Sequence, residues 1–367
     1  MRYRTDAVRR KRDPTPPDPN AAGRGNGATS WASDSTVVKS AHGSRSTMAC
    51  YAGVDLGATN VRAVVGDDEG TVVGSDRRET PRGPSGIAVT EAVLDALRAA
   101  CHDAGIDPGS LAAAGVGSFG PLDLAEGAVI EPANLPDGVD RVPLRGPVEN
   151  LVDGPVYLHN DTTAGVVGER FHAARNPDDM VYLTFSTGIG AGICVDGHVL
   201  AGWDGNAGEV GHVTVDPAGA MTCGCGHDGH WEAYCSGTGI PRYARHLHDG
   251  GETDLPLQST SFTAADVFAA AGDDPLADRV LERVVDWNAL GVATVVHAYA
   301  PIVIAVGGAV ALNNPEVVLG GLRERVPDLV MSNVPEIRST ALGNEVVVRG
   351  ALASAMTGGT GDRRRLE

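Results

Sequence analysis

Tyr51-Ala-Gly-Val-Asp55-Leu-Gly57-Ala58-Thr59-Asn60 is the stretch on which the rest of the chain is read. A short apolar run ends in an acid and a glycine. "VRAVVGD" at 61–67 reads as a second strand, and "TVVGSDRRE" at 71–79, after a turn at Asp68–Gly70, as a third. Together they predict a meander closed by tight turns. The 55–60 turn also carries chemistry. Glycine lets the backbone approach an anion closely, and successive N–H groups can cradle phosphate. Asp55, at the strand end, can hold Mg²⁺ through water. This is not a Walker loop, because it lacks the lysine. The plain alternative is a hairpin turn with no ligand.

Outward from this stretch the pattern is α/β. Residues 86–104 have helical period, with Ile87, Val89, Val93, Leu94, Leu97 and Cys101 on one broad face. "LAAAGVGS" at 111–118 and "PVYLHND" at 155–161 read as strands, and a helix follows through Glu169 and Phe171. Near residue 178 the theme recurs: "DMVYLTFS" and "GAGICVDG" flank a glycine-rich bend, and "HVL" starts a third strand. The two units look like distant duplicates, each with a mixed sheet. Further on, 262–272, 276–299 and 315–327 are expected to be helical, "PIVIAVGG" and "NEVVVRG" to be strands, and 350–356 a last helix. The expected division is a disordered basic leader over 1–48, an N-terminal α/β domain over 49–172, a larger C-terminal α/β domain over 173–357, and a frayed tail over 358–367. The last helix is expected to pack back on the N-terminal domain.

Charge is unevenly spread. The 367 residues carry 47 Asp and Glu against 29 Lys and Arg, a net −18. Lys11 and Lys39, the two lysines of the chain, both lie in the basic leader, so the acidic body has arginine alone. Such a body suits a salty cytoplasm, where screening weakens self-repulsion and carboxylates hold water at the surface. It also argues against nucleic acid as a partner, since phosphate binding needs clustered Lys and Arg. Met48 directly precedes the first strand, which makes it the expected natural start, with a genuine basic arm as the alternative. No apolar run reaches the roughly 18 residues of a membrane span. The opening residues are polar and charged rather than an apolar secretory segment, so a cytoplasmic location is expected. The six cysteines are too sparse for a disulfide framework, but Cys223, Cys225 and Cys235 fall close together, as in a local metal site.

Four further segments can carry chemistry. Thr187-Gly188-Ile189-Gly190-Ala191-Gly192 occupies in the second unit the place that 55–60 occupies in the first. Two such loops could embrace a triphosphate from both sides of a cleft. Asn160-Asp161 ends a strand, where a carboxylate is rigidly held and can take the proton from an attacking hydroxyl. The competing reading makes Asp161 the N-cap of the next helix. "GEVGH" at 208–212 leads into "CGCGHDGHWE" at 223–232. His212, Cys223, Cys225 and His230 could complete a tetrahedral, structural zinc site, with His227 the rival fourth ligand. Its work would be to place Glu209, His212 and Glu232 around a polyol. Gly307-Gly308, after a buried strand, would let a flat base or ribose approach the backbone. Asn134, in "EPANLPDG", lies in a turn where its amide could meet a hydroxyl.

The ordered set DLGATN at 55–60, GSFGPLD at 117–123, HND at 159–161, STGIGAG at 186–192, EVGH with CGCGHDGHWE over 209–232, and VGG at 306–308 resembles the ROK family of sugar kinases and sugar-responsive repressors. The resemblance runs from about residue 50 to 357. It implies an actin-like, ribonuclease H-like fold of two α/β domains around an interdomain cleft. It also implies ATP with Mg²⁺ and phosphorylation of a hexose or N-acylhexosamine, often at the 6-hydroxyl. By motif match Asp161 is the catalytic base. Asn134, Asn160, Glu209, His212 and Glu232 bind the sugar. Gly57, Ala58, Thr59 and Asn60 lie by the phosphates with Thr187 and Gly188 opposite, and Gly307 and Gly308 lie on the adenosine side. The family's zinc site uses His with three Cys; here His230 stands where the third Cys would be. Homodimers, or tetramers, are the implied assemblies, and the lysine-free body with the GSFGPLD and GHWE variants points to a halophilic archaeal source.

The leading expectation is therefore conversion of glucose to glucose 6-phosphate. The alternatives are a kinase for fructose, mannose or an N-acylhexosamine, and a non-catalytic sugar-responsive regulator. The regulator would need a helix-turn-helix, and residues 1–48 lack the amphipathic helices of one. A different actin-fold phosphotransferase, such as an acetate-kinase-like enzyme, would not need the polyol and zinc constellation.

Overall fold

The meander expected at 51–79 begins a five-stranded sheet. A computed structural model of the chain describes residues 49–83, 85–132, 135–136 and 139–366. Its first sheet starts with β1 (Tyr51–Leu56), β2 (Asn60–Gly66) and β3 (Val72–Glu79), followed by α1 (Gly86–Ala104) and β4 (Ala113–Ser118). A small side sheet, β5 (Leu122–Asp123), β6 (Ala128–Ile130) and β7 (Arg141–Pro143), leads through α2 (Arg145–Glu149) to β8 (Val156–Asn160) and α3 (Asp161–His172). The second sheet opens with β9 (Met180–Phe185), β10 (Ile189–Val195) and β11 (His198–Val199). A long excursion carries α4 (Glu232–Cys235), α5 (Gly239–Leu247), α6 (Ala264–Ala269) and α7 (Pro275–Tyr299). The chain then returns through β12 (Val303–Gly307), α8 (Ala309–Asn313), α9 (Gly321–Arg325), β13 (Glu336–Ser339) and α10 (Val346–Thr357).

The strand orders are β3-β2-β1-β4-β8 and β11-β10-β9-β12-β13. In each, the first three strands are antiparallel and the last three parallel, so the second sheet repeats the first. The fold is mixed α/β, with helices on the faces of both sheets. Helix α1 covers the outer face of the first sheet, and α4, α5 and α7 cover that of the second around Trp231, Tyr234 and Phe185. Helices α3 and α10 lie between the sheets. Glycine makes that layer possible: a Cβ on Gly115 would lie 1.9 Å from Ala351 O, one on Gly192 1.9 Å from Thr162 O, and one on Gly350 1.8 Å from Ala164 O.

The 86–104 helix has the expected bounds and ends on Gly105 at φ 69°, the left-handed cap that glycine favours. Its Ile87 faces outward, 56% exposed, while Val89, Val93, Leu94, Leu97 and Cys101 are buried. Two expectations fail. "NEVVVRG" is not a strand: after a 3-10 turn at Gly343–Glu345, helix α10 begins at Val346. The β-branched run favours a strand locally, but Val346 and Val348 are buried between the sheets, and that packing overrides propensity. The fifth strand is instead β13, "EIRS", a short edge with a single buried side chain, Ile337. Over 315–327 the chain is helical as expected, but the helix changes type along its length, from a π-helix at Glu316–Gly320 through α9 to a 3-10 turn at Val326–Asp328. The tail is not frayed over 358–366: Arg170 donates to Thr360 O at 2.8 Å, Arg363 to Ala173 O at 2.7 Å, and Gly361 is buried. The helix expected over 262–272 is shortened to α6, behind a Thr263–Asp266 capping box. Among the described residues no helix is long and apolar enough to cross a membrane.

Candidate active site

Each sheet sends its first hairpin turn to the same place. The β1–β2 turn is drawn tight by Gly57 N–H donating to Asn60 O at 2.9 Å, and the Thr80 hydroxyl, just past the end of β3, donates to Gly57 O at 2.7 Å. The β9–β10 turn is closed by Ser186 N–H to Gly188 O at 2.9 Å and backed by Gly237 N–H to Ser186 O at 2.7 Å. Both turns line one cavity of about 950 Å³, through Gly57, Ala58, Thr59 and Asn60 on one side and Thr187, Gly188 and Gly190 on the other. The hairpin-turn reading and the ligand-loop reading therefore describe the same residues.

Asn160 and Asp161 line this cavity at the β8–α3 junction. The helix cap is Asn160, whose Oδ1 accepts Thr162 N–H at 3.0 Å and Thr162 Oγ1–H at 2.8 Å. Asp161 is thus the first helical residue and not the cap. Its half-buried carboxyl is pushed up to about 6, chiefly by desolvation, with the charge of Glu209 adding and the Thr162 N–H opposing. His159, the first member of the same motif, is held by Ser354 Oγ on α10 at 2.7 Å. Burial drives its pKa down to about 4, so it is a neutral packing residue.

Asp55 sits directly opposite Arg62 in the β1–β2 register. Burial raises its carboxyl to about 7, Arg62 opposes the rise, and Asp161 adds to it. Both carboxyls are thus held above their usual range within one cavity, chiefly by burial. Arg62 and Arg242 line the cavity too and were not singled out by sequence. The signal for Arg62 was a lone arginine inside an apolar strand of a body without lysine. Val347, contributed by α10, was hidden by the mistaken strand assignment.

The excursion after β11 brings Glu209, His212, Cys223 and Glu232 to the cavity wall. Trp231 anchors it: fully buried, it donates Nε1–H to Asn288 Oδ1 at 2.8 Å and meets Phe185 edge-on. Asp216 holds the preceding turn by accepting Ala218 N–H, Ala220 N–H and the Tyr234 hydroxyl. Glu232, next to Trp231, accepts Ile189 N–H at 2.9 Å, which joins this loop to the glycine turn. The ligand atoms of His212, Cys223, Cys225 and His230 lie within 4.8 Å of one another. Cys223 Sγ is 3.6 Å from His212 Nδ1, and Cys225 Sγ is 3.2 Å from His230 Nδ1. A tetrahedral zinc site with its usual bond lengths needs ligand separations of about 3.3–3.8 Å, so this donor set fits one with small adjustment. His212 Nε2 faces Glu209 Oε2 at 3.7 Å, leaving Nδ1 for the cluster. His227 is outside the cluster, stacked on His230 with ring centroids 5.5 Å apart.

Two expectations are not gathered here. Gly307 and Gly308 do not line the cavity; a Cβ on Gly307 would meet Tyr182 Oη at 2.5 Å, and one on Gly308 would meet Phe185 O at 2.3 Å. Close packing on β9 accounts for both glycines. Asn134 lies outside the described residues.

Comparison with known proteins adds to this geometry. The model of the ROK family matches residues 51–357. A glucokinase of Pyrobaculum calidifontis is 36% identical over 311 residues, covering 84% of this chain and 95% of its own. The crystal structure of a ROK hexokinase from Thermus thermophilus superposes with a TM-score of 0.72 at 34% identity, over 83% of this chain and 97% of that one. A ROK-family glucokinase from Streptomyces griseus, solved with glucose and AMPPNP, gives a TM-score of 0.65 at 29% identity, over 83% of this chain and 99% of that one. Matched by the family model across both sheets and by relatives over most of its length, the chain belongs to the ROK family and is one of its sugar kinases.

Proposed function

We propose that the protein transfers the γ-phosphoryl group of ATP to a hexose, converting glucose to glucose 6-phosphate, with Asp161 as general base. The observation that carries this reading is the placement of Asp161: a carboxyl with its pKa near the working range lines the same cavity as both glycine turns. Glu209, His212 and Glu232, with Asn160 and Asn134, hold the sugar hydroxyls and aim the 6-hydroxyl at Asp161. As that oxygen attacks the γ-phosphorus, Asp161 takes its proton, the bond to the ADP oxygen breaks, and ADP leaves. At neutral pH Asp161 then returns the proton to solvent, because its carboxyl titrates at about 6.

The Gly57–Asn60 and Thr187–Gly188 turns present backbone N–H groups to the phosphates from both sheets. Mg²⁺ bound near Asp55 would neutralise phosphate charge, and a buried Asp55 carboxyl raised further by Asp161 is an environment that favours a cation there. Zn²⁺ on His212, Cys223, Cys225 and His230 would be structural, fixing the loop that carries Glu209 and Glu232. The working protein is read as a cytoplasmic homodimer.

The test is ATP consumption across hexoses and N-acylhexosamines in high salt. Glucose should give the largest kcat/KM. Preference for mannose, fructose or an N-acylhexosamine would move the substrate but keep the chemistry. Sugar binding with no ADP released for any substrate would sink the kinase reading.

A further inference from the structure

Helix α3 has Asp161 as its first residue and two buried charges, Glu169 and Arg170, near its other end, 1% and 0% exposed. Eight and nine residues of helix set them roughly 12–14 Å along the axis from Asp161, too far for either charge to touch the reacting atoms. Their partners lie on the two stretches by which the chain crosses between the sheets. Glu169 Oε1 accepts Ala341 N–H at 3.0 Å and the Thr340 hydroxyl, and its Oε2 pairs with Arg338 at 2.9 Å. That is the crossing from β13 back to α10. Arg170 donates Nε–H to Pro177 O at 3.0 Å and pairs with Asp178 at 2.6 Å, on the crossing from α3 to β9. Its Nη1 holds Thr360 O at 2.8 Å, and Asn176 bridges Arg170 O to Gly361 O, so the tail straps the same crossing.

We propose that Glu169 and Arg170 are positioning residues that clamp both inter-sheet crossings to the helix bearing Asp161. The cavity lies between two sheets joined covalently at these crossings, so any closure around substrate pivots there. With the crossings gripped by one helix, closure carries Asp161 as part of a rigid body. Without the grip, the sheets close with Asp161 out of register. Buried ionic groups are expensive to desolvate and are poor sources of stability by themselves. Two adjacent ones, each spent on a different crossing, fit a role in fixing geometry. The sugar-holding side chains Glu209, His212 and Glu232 belong to the second sheet's excursion and do not depend on the clamp.

This rests on the kinase reading, and the experiment separates the two. Glu169→Gln keeps an acceptor for Thr340 and Ala341 but removes the ion pair with Arg338; Arg170→Lys keeps the charge but cannot reach all its partners. Turnover, sugar KM, melting temperature and the fall in radius of gyration on adding glucose with ADP are measured for each beside the wild type. The expected result is kcat down tenfold or more, sugar KM within about threefold, and a reduced compaction, in folded protein; a displacement of about 1 Å can cost 10²-fold. A folded Glu169→Gln protein with kcat within twofold of wild type, whatever its melting temperature, overturns the proposal. If that variant does not fold, Arg338→Gln, which alters the solvent-side partner, is judged by the same criteria. A wild-type protein that turns over no sugar would refute the kinase reading, and the compaction measurement alone would then decide the clamp.

Discussion

Asp161→Asn changes charge while keeping shape. The Asn Oδ1 can still accept Thr162 N–H, as the Asp Oδ1 does at 2.7 Å, and Asn160 still caps α3. What disappears is the ability to take a proton. A positioned base contributes about 10²–10⁴ in rate, or roughly 3–5 kcal/mol at 1.36 kcal/mol per decade. Sugar affinity should stay within a few-fold, because Glu209, His212 and Glu232 are untouched. The variant should also be more stable. A carboxyl raised from 3.8 to about 6 binds its proton more tightly folded than unfolded, so its charge costs stability above pH 6. Two pKa units correspond to about 3 kcal/mol at most, and solvent screening of this half-buried group leaves roughly 1–2. The gain in melting temperature should be full above pH 6 and vanish toward pH 4. In the wild type, kcat/KM should fall about tenfold per pH unit below pH 6. A coupled ADP-release assay, titration calorimetry with the sugar, and thermal melts at pH 4.5 and 7.5 check each part. A folded Asp161→Asn enzyme retaining more than a tenth of wild-type kcat would refute its role as base.

The remaining predictions concern the scaffold around this residue. Metal analysis should find about one zinc per chain, lost in Cys225→Ala and kept in His230→Cys; a folded, active preparation without zinc would remove the site. Gly115→Ala should cost more than about 3 kcal/mol in denaturant unfolding, because its Cβ would lie 1.9 Å from Ala351 O, where the α10 backbone must move. Truncation after Thr357 should cost about 2 kcal/mol by stripping the Thr360 carbonyl and Asp362 from buried Arg170, read as a drop in melting temperature with far-UV dichroism unchanged.

Much of this molecule was legible in the chain because its signals are local. The YAGVDLG meander, the 86–104 helix and the glycine turns each carry their period and punctuation within one segment. The cluster of His212, Cys223, Cys225 and His230 was legible because three of its members share one short stretch. What failed depends on tertiary context. Val346-Val347-Val348 reads as a strand until the groove between the sheets is known, and only then is its burial on a helix explicable. β13 has a single inward side chain and no periodicity to detect. Asp55 and Arg62 are cross-strand neighbours, a pairing that fixes the cleft's charge but shows only once the register is set. Arg170 looks like a surface residue of an amphipathic helix, and nothing in sequence announces partners on a tail that reads as frayed.

The repeat of strand order explains why the site is lopsided. In both sheets the fifth strand feeds a helix, β8 into α3 and β13 into α10. These equivalent helices cross at glycine: a Cβ on Gly168 would lie 2.9 Å from Gly350 Cα, and one on Gly350 1.8 Å from Ala164 O. That crossing brings the beginnings of both helices to one cavity. There α3 presents Asp161 and α10 presents Val347. An acid at both positions would set a third carboxylate in a cavity where Asp161 already raises Asp55. With valine in the second copy, α10 adds no charge to the cavity, and burial raises the Asp161 carboxyl to about 6. The duplication thus supplies a symmetric frame, and the loss of symmetry at this pair of helix starts leaves a single carboxyl there, the one proposed as base.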